Sequence, residues 1–168
     1  MKKLLTIASA LLAAVVLAAC ASSPFASVEL APGTPRQQVI ERMGQPTRIV
    51  RLPNGAERLQ YSLQPIGRYA WMVDMDAAGK VASSRQALTI DNFNRIEPGV
   101  WTRNDVEREF GPPASVESVA SWNGPILTYR WIDNQHSDMF FWVYLDGQNV
   151  VRRAHPGMEF VNAPNDRS

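Results

Sequence analysis

Hydrophobic positions along this chain follow two different spacings. A helical spacing, with apolar residues every three or four positions, occurs twice, in "PGTPRQQVIERMGQP" (32–46) and in "PGVWTRNDVEREFGPP" (98–113). After each of these segments, apolar and polar residues alternate, which is the period of a β-strand with one buried face. The pattern therefore predicts a short helix followed by several strands, stated twice along the chain.

Each helical segment has its own start and stop residues. A threonine suited to the N-cap opens each helix, and a residue three positions later can complete a capping box. A glycine suited to the left-handed conformation closes each helix, and proline follows it. The predicted capping pairs are Thr34 with Gln37 and Thr102 with Asp105, and the closing glycines are Gly44 and Gly111.

Four strands are predicted after each helix. The alternating segments are 47–52, 57–64, 68–76 and 80–88, then 114–119, 126–133, 138–146 and 150–155. Asn54-Gly55 is a strong hairpin signal, and Tyr61 and Asp76 of the first set align with Tyr129 and Asp146 of the second. The sequence thus predicts an α+β fold of two tandem units, each a helix followed by an antiparallel meander.

The opening "MKKLLTIASALLAAVVLAAC" has the layout of a bacterial signal peptide, with two lysines, an apolar run, and small residues before Cys20. The apolar run is too short for a convincing membrane-spanning helix. An ordinary secretory signal with a chance cysteine is the alternative. The predicted organisation is a signal peptide (1–19), a lipidated tether (20–31), a first unit (32–88), a linker (89–97), a second unit (98–155) and a flexible tail (156–168).

Composition and motifs predict no catalytic chemistry. The formal net charge of +1 does not favour nucleic acid, which calls for a strong basic patch. His136 and His155 lack a second histidine or cysteine at a metal-ligand spacing, and Asp133 and Asp138 near His136 fit a solvated turn better than a cation site. No phosphate loop or nucleophile elbow occurs. We therefore expect no enzyme activity, metal, cofactor or small-molecule substrate.

The two units differ on one face of their predicted sheets. In the first unit, the face opposite Tyr61 is mixed, with Arg58, Gln60, Ser62, Ala70, Met72 and Asp74. The corresponding face of the second unit carries Thr128, Arg130, Ile132, Phe140, Trp142 and Tyr144. Aromatic residues with arginine are typical of interface hot spots, so Arg130, Phe140, Trp142 and Tyr144 are the predicted partner-binding residues. The alternatives are internal core, covered by the first unit or a terminal segment, and a lipid or small-ligand surface.

The repeated pattern resembles a family of lipoproteins. "PGxxxxxVxxxxGxP", followed by hairpin strands and a "D-x-x-G-x-V" turn, resembles the SmpA/OmlA-type (BamE-like) outer-membrane lipoproteins, and "LAAC" resembles their lipobox. The matching residues are Pro32, Gly33, Val39, Gly44, Pro46, Tyr61, Asp76, Gly79 and Val81, then Pro98, Gly99, Val106, Gly111, Pro113, Tyr129 and Asp146; Gly147 departs from the closing turn.

The resemblance implies a location and a role. It implies diacylglyceryl and N-acyl groups on Cys20, which would anchor the protein in a membrane. Ala21, where an aspartate would resemble an inner-membrane retention signal, favours the outer membrane and a domain facing the periplasm. The implied function is that of an adaptor that contacts an envelope protein in envelope assembly or integrity.

The tandem arrangement suggests an alternative function. Two units in one chain resemble the double-unit fold of the β-lactamase inhibitor protein, whose paired units form a concave surface that grips an enzyme. That inhibitor is disulfide-bonded, whereas this chain has no cysteine after Cys20. The resemblance therefore extends to the fold, and an inhibitor or binding module for a soluble periplasmic enzyme is the alternative to the adaptor.

Overall fold

The computed structural model describes residues 30–159. Two four-stranded antiparallel meanders, ordered β1-β2-β3-β4 (the first sheet) and β5-β6-β7-β8 (the second sheet), dominate the fold. The elements are α1 (Arg36–Met43), β1 (Arg48–Arg51), β2 (Glu57–Ser62), β3 (Ala70–Met75), β4 (Val81–Gln86), α2 (Ile90–Phe93), α3 (Arg103–Phe110), β5 (Ser115–Glu117), β6 (Ile126–Ile132), β7 (Asp138–Leu145) and β8 (Val151–Met158).

The predicted α+β fold of two tandem units, each a helix followed by an antiparallel meander, is wrong, because the structure is mostly β, with two four-stranded antiparallel sheets and only small helices. The helices α1, α2 and α3 have only 8, 4 and 8 residues, which is about two turns at most and too short for a helical layer. Gly44 and Gly111 end α1 and α3 at φ values of 75° and 81°. The helical spacing indicated where helices lie, but it did not show that they form only a small part of the fold. None of the helices within residues 30–159 is long and apolar enough to cross a membrane.

The strands lie at the segments with alternating polarity. The last strand differs from the prediction, since β8 continues to Met158, beyond the predicted end of the unit at residue 155. Pro156 lies in this strand, where it is tolerated because β8 is an edge strand of its sheet. The predicted signal peptide, Cys20, most of the tether and the tail from residue 160 onward lie outside the described residues.

The two predicted capping boxes have different outcomes. In α3 the box forms, because the Thr102 hydroxyl accepts from the Asp105 backbone N–H at 3.3 Å while the Asp105 carboxylate accepts from the Thr102 backbone N–H at 2.8 Å. In α1 it does not, because Pro35 is the N-cap residue and Thr34 lies one position too early. The Thr34 hydroxyl instead donates to the Ala31 carbonyl oxygen at 2.7 Å.

Two buried clusters form the core. The first lies between α1 and one face of the first sheet, where Val39 and Met43 pack with Leu59 and Val73, and with Leu30 at the end of the predicted tether. The second lies between the two sheets. It joins Ala70 and Met72 of the first sheet, Phe93 of α2, Phe110 of α3, and the inward side chains of the second sheet (Leu127, Tyr129, Trp131, Phe141, Val143 and Leu145).

The segment predicted as a linker therefore belongs to the shared core. Phe93 and Ile96 lie within residues 89–97, and their exposed fractions are 1% and 8%. The short helix α1 packs on one face of the first sheet, and α2 and α3 lie between the first sheet and the second sheet. The outer face of the second sheet, which points away from the shared core, is the one that carries Phe140, Trp142 and Tyr144.

Candidate functional site

Alternation along β7 divides its side chains between the core and the outer face of the second sheet. Phe141 and Val143 are buried in the shared core, whereas Phe140, Trp142 and Tyr144 point to the other side and are half-buried. Within residues 30–159 these three side chains belong to neither buried cluster. The first sheet therefore does not cover them, which removes that form of the internal-core alternative; the terminal segments lie outside the described residues.

Five rings form a continuous line across this face. Trp122 meets Tyr144 edge-on with ring centroids 5.2 Å apart, and Tyr144 stacks on His155 at 5.4 Å. His155 is 5.4 Å from Trp142, and Trp142 is 5.6 Å from Phe140. We call these five side chains the aromatic row. All five are half-buried, so each ring is partly held by its neighbours and partly open to solvent.

The pairing of β7 with β8 builds the middle of the row. Trp142 lies opposite His155, and Phe140 lies opposite Gly157. A Cβ atom on Gly157 would lie 2.3 Å from a ring carbon of Trp142, well inside contact distance. The missing side chain at Gly157 therefore lets the indole lie against β8 and reach His155.

The Arg130 side chain forms hydrogen bonds with other groups of its own chain. Its guanidinium donates to both carboxylate oxygens of Glu159, one of them at 3.0 Å from Nε, and to the Pro65 and Ile66 carbonyl oxygens at 3.1 and 3.0 Å. The hydrogen bond to Glu159 raises the pKa of Arg130 above its usual value, against the opposing effect of burial. Arg130 thus connects the second sheet to the loop after β2 and to the residue after β8. Its predicted role as a direct partner contact stays a prediction.

Sequence reasoning missed three residues of this face. The Arg153 guanidinium carbon lies 4.9 Å from the Tyr144 ring centroid, which is cation–π distance. Arg153 and His155 alternate with the inward residues of β8, so knowing the register with β7 would have found them. Trp122 lies in the loop before β6, where no periodicity applies, and its Nε1 donates to the Leu145 carbonyl oxygen at 2.7 Å.

In the polar turn between β6 and β7, the aspartate carboxylates already bind groups of the same chain. Asp133 accepts from the backbone N–H groups of Gln135 and Ser137 at 2.9 and 2.8 Å, and Asp138 forms an ion pair with Arg68. In the part of the chain that the structure describes, no three side chains of the metal-ligating types come together. The geometry here is that of a turn stabilised by its aspartate.

A large open groove lined by described residues lies away from the aromatic row. It runs along the first sheet beside an Arg36–Glu57 ion pair with an N···O distance of 2.6 Å. Its charged lining also includes Arg51, Asp74 and Asp76, but Asp74 is bound by Arg58 and Asp76 accepts turn hydrogen bonds from Ala78 and Lys80. These residues therefore provide no acid and base that both face the groove without another partner. The aromatic row is the better candidate site.

Comparisons with known proteins add little to this picture. No protein-family model matches the sequence, and neither does any curated protein. Among solved structures, the chain is similar to a DUF4309 family protein (YjgB) from Bacillus subtilis, with 14% sequence identity and a TM-score of 0.31, over 73% of this chain and 77% of that one. A likeness at this level carries no argument about function, and it does not bear on the resemblance to the SmpA/OmlA-type lipoproteins.

Proposed function

We propose that this protein is a lipid-anchored adaptor of the outer membrane that faces the periplasm and acts by contact with another envelope protein. The single observation that supports this contact is the aromatic row, five half-buried rings on the outer face of the second sheet. The anchor would be diacylglyceryl and N-acyl groups on Cys20. The adaptor has no catalytic step, and its function is to hold a partner.

The chemistry of the row suits a protein partner. Tryptophan, tyrosine and arginine are enriched among the residues that dominate binding energy. In the row, Trp142 and Tyr144 both contact His155, and Arg153 lies over the Tyr144 ring. The rings already contact one another, so binding would immobilise few additional side-chain rotamers. The core of the second sheet is complete without them, which supports a role outside folding.

The proposed anchor lies close to the fold along the chain. Leu30 is packed in the core with an exposed fraction of 4%, so nine residues, 21–29, separate Cys20 from the fold. An extended chain spans at most about 3.3–3.6 Å per residue, which keeps the domain within roughly 35 Å of its attachment point. Two or more acyl chains would make such an anchor stable, where one would be marginal.

The test is photo-crosslinking in intact cells from a benzoyl-phenylalanine that replaces Phe140, with Cys20 left in place. We expect an adduct with an outer-membrane protein, and we expect it to disappear when Cys20→Ala releases the domain from the membrane. A matched control carries the probe at Asn54, which is exposed on a loop of the first sheet. An adduct with a soluble periplasmic enzyme would favour the inhibitor instead, and the same yield from Asn54 as from position 140 would contradict the proposal.

A further inference from the structure

We propose that the aromatic row receives an amphipathic α-helix of the partner, with an acidic side chain of that helix placed against Arg153; this rests on the proposed function. The argument comes from the first sheet, whose corresponding face already holds a helix. That helix is α3, and its docking shows what this sheet geometry accepts.

The first sheet binds the C-terminal end of α3 through hydrogen bonds from the face that points toward the shared core. The Gln60 side chain donates to the carbonyl oxygens of Glu107 and Arg108 at 2.9 and 3.0 Å. The Arg58 guanidinium donates to the Arg108 carbonyl oxygen at 3.1 Å. The last carbonyl groups of a helix lack partners within the helix, so these donors on β2 complete the end of α3.

Ion pairs and apolar contact complete this docking. Glu109 of α3 pairs with Arg58 at 2.9 Å and with Arg85 of β4 at 2.6 Å, and Arg58 also pairs with Asp74. Met72 supplies the apolar contact beside the helix, since it belongs to the same buried cluster as Phe110. The face therefore combines a central apolar side chain with a basic residue on the last strand that meets an acid of the helix.

Strand register relates the two faces position by position. Tyr61 pairs with Trp71 as Tyr129 pairs with Phe141, and Met72 pairs with Arg85 as Trp142 pairs with His155. Met72 and Arg85 therefore correspond to Trp142 and His155. Within residues 30–159 no helix covers the second sheet at this place, so the face that binds a helix in the first sheet is left open in the second and carries larger apolar side chains.

The apolar surface and the charge of the open face suit the same kind of occupant. Neighbouring ring centroids are 5.2–5.6 Å apart, so the rings form an unbroken apolar strip that the apolar stripe of an amphipathic helix can cover. Arg153 is exposed and bonds His155 at 2.9 Å, and no acidic partner of Arg153 occurs among the ion pairs of the described residues. Arg153 lies two residues before His155, the position that corresponds to Arg85. An acidic side chain of the bound helix would pair with Arg153, much as Glu109 pairs with Arg85.

The test maps crosslinks on the partner from two positions of the row. Benzoyl-phenylalanine replaces Phe140 in one variant and Tyr144 in another, in intact cells with the full chain, and mass spectrometry locates the crosslinked residues. We expect sites within one segment of the partner, separated by three, four or seven residues, the spacing of one helical face. Sites separated by two residues would indicate a strand and overturn the helix while the proposed function stands.

Other adducts would also be decisive. Adducts to a second copy of this chain, to its own residues 160–168 or to lipid would overturn the helical partner, and the absence of any adduct from both positions would contradict the proposed function as well.

The charge is tested by Arg153→Glu, which we expect to reduce the adduct yield about tenfold. Arg51→Glu, an exposed arginine on the edge strand β1, is the matched control and should leave the yield unchanged; equal losses would overturn the placement of the acid.

Discussion

At the scale of single residues, Tyr129 connects the second sheet to the end of α3. Its hydroxyl donates to the Gly111 carbonyl oxygen at 2.9 Å, and its side chain is fully buried. Burial raises the pKa of Tyr129 well above its usual value, so the phenol stays protonated and can donate. Tyr61 likewise connects the first sheet to the end of α1, because its hydroxyl donates to the Gly44 carbonyl oxygen at 3.2 Å. The alignment of the two tyrosines was visible in the sequence, but their hydrogen bonds to the closing glycines were not.

Replacing Tyr129 by Phe should lower the free energy of unfolding by about 1–2 kcal/mol, because the buried Gly111 carbonyl would lose its donor. Urea unfolding followed by tryptophan fluorescence measures the loss. Tyr69→Phe removes the same hydroxyl from an exposed side chain and should change stability by less than about 0.5 kcal/mol. Equal effects of the two substitutions would mean that the Tyr129 hydrogen bond contributes nothing.

At the scale of elements, α1 and α3 share a sequence pattern but differ at their first residue. The threonine lies one position before the N-cap in α1, whereas it is the N-cap residue in α3. Thr102 lies at the N-cap of α3 and forms the capping box with Asp105, whereas Pro35 occupies the N-cap of α1. The sequence places a threonine near both starts, and only the backbone decides which one is in the capping geometry.

Thr102→Ala should therefore destabilise the protein by about 1 kcal/mol, the usual effect of removing an N-cap hydroxyl. Thr34→Ala should cost clearly less, since the Thr34 hydroxyl bonds an exposed carbonyl three residues earlier rather than capping a helix. Guanidinium unfolding of the two variants beside the parent protein gives both values. A larger loss for Thr34→Ala would contradict the assignment of the caps.

The capping box also makes α3 sensitive to acid. Partial burial acts to raise the pKa of Asp105, but hydrogen bonds from Thr102 and Arg108 outweigh it and hold the pKa below its usual value. A pKa lower in the folded than in the unfolded protein stabilises the fold above the unfolded value of about 3.9, and this stabilisation is lost as the pH falls through the folded value.

Asp105→Asn should accordingly be less stable than the parent protein at neutral pH, by about 1 kcal/mol. The difference between the two should shrink below about pH 4, where the parent carboxylate becomes protonated. Thermal unfolding at a series of pH values measures this, with Asp91→Asn, an exposed aspartate in α2, as the control. A difference that stays constant down to pH 2 would show that the charge of Asp105 is not involved.

At the scale of the whole molecule, Phe93 joins the two sheets. Its ring stacks on Phe141 of the second sheet with centroids 4.0 Å apart and an angle of 5° between the planes, and it lies 4.8 Å from Phe110 of α3. Ala70 and Met72 of the first sheet belong to the same cluster. The two sheets therefore share one core, and we expect them to unfold together.

Phe93→Ala should lower the free energy of unfolding by about 3–5 kcal/mol, the usual cost of truncating a buried phenylalanine. Native-state hydrogen exchange would report the loss strand by strand, and we expect the amides of β3 and β7 to lose protection to the same extent. Ile90→Ala, at a partly exposed position of the same helix, should cost much less. Loss of protection in β7 with β3 unchanged would show that the sheets are independent.

The sequence predicted features that depend on neighbouring residues. Strand positions follow from alternation, the ends of α1 and α3 from glycine and proline, and the turn at Asp146 from an aspartate whose carboxylate accepts the Gln148 and Val150 N–H groups, both at 2.9 Å. The fold class was wrong because periodicity shows where a helix lies and not whether it forms a layer. The segment 89–97 looked like a linker because its few apolar residues have no period, yet Phe93 is at the centre of the core.

By itself, the sequence determined the strand segments, the glycine ends of α1 and α3, and the choice of Phe140, Trp142 and Tyr144 as candidate residues, because these follow from local backbone preference and from alternation along one strand. The tertiary structure alone decided that Trp122 and His155 complete the aromatic row, and that Arg130 pairs with Glu159 rather than remaining open. These contacts join residues distant along the chain, and their geometry depends on strand register and on how the loops fold back onto the sheet, which no local pattern records.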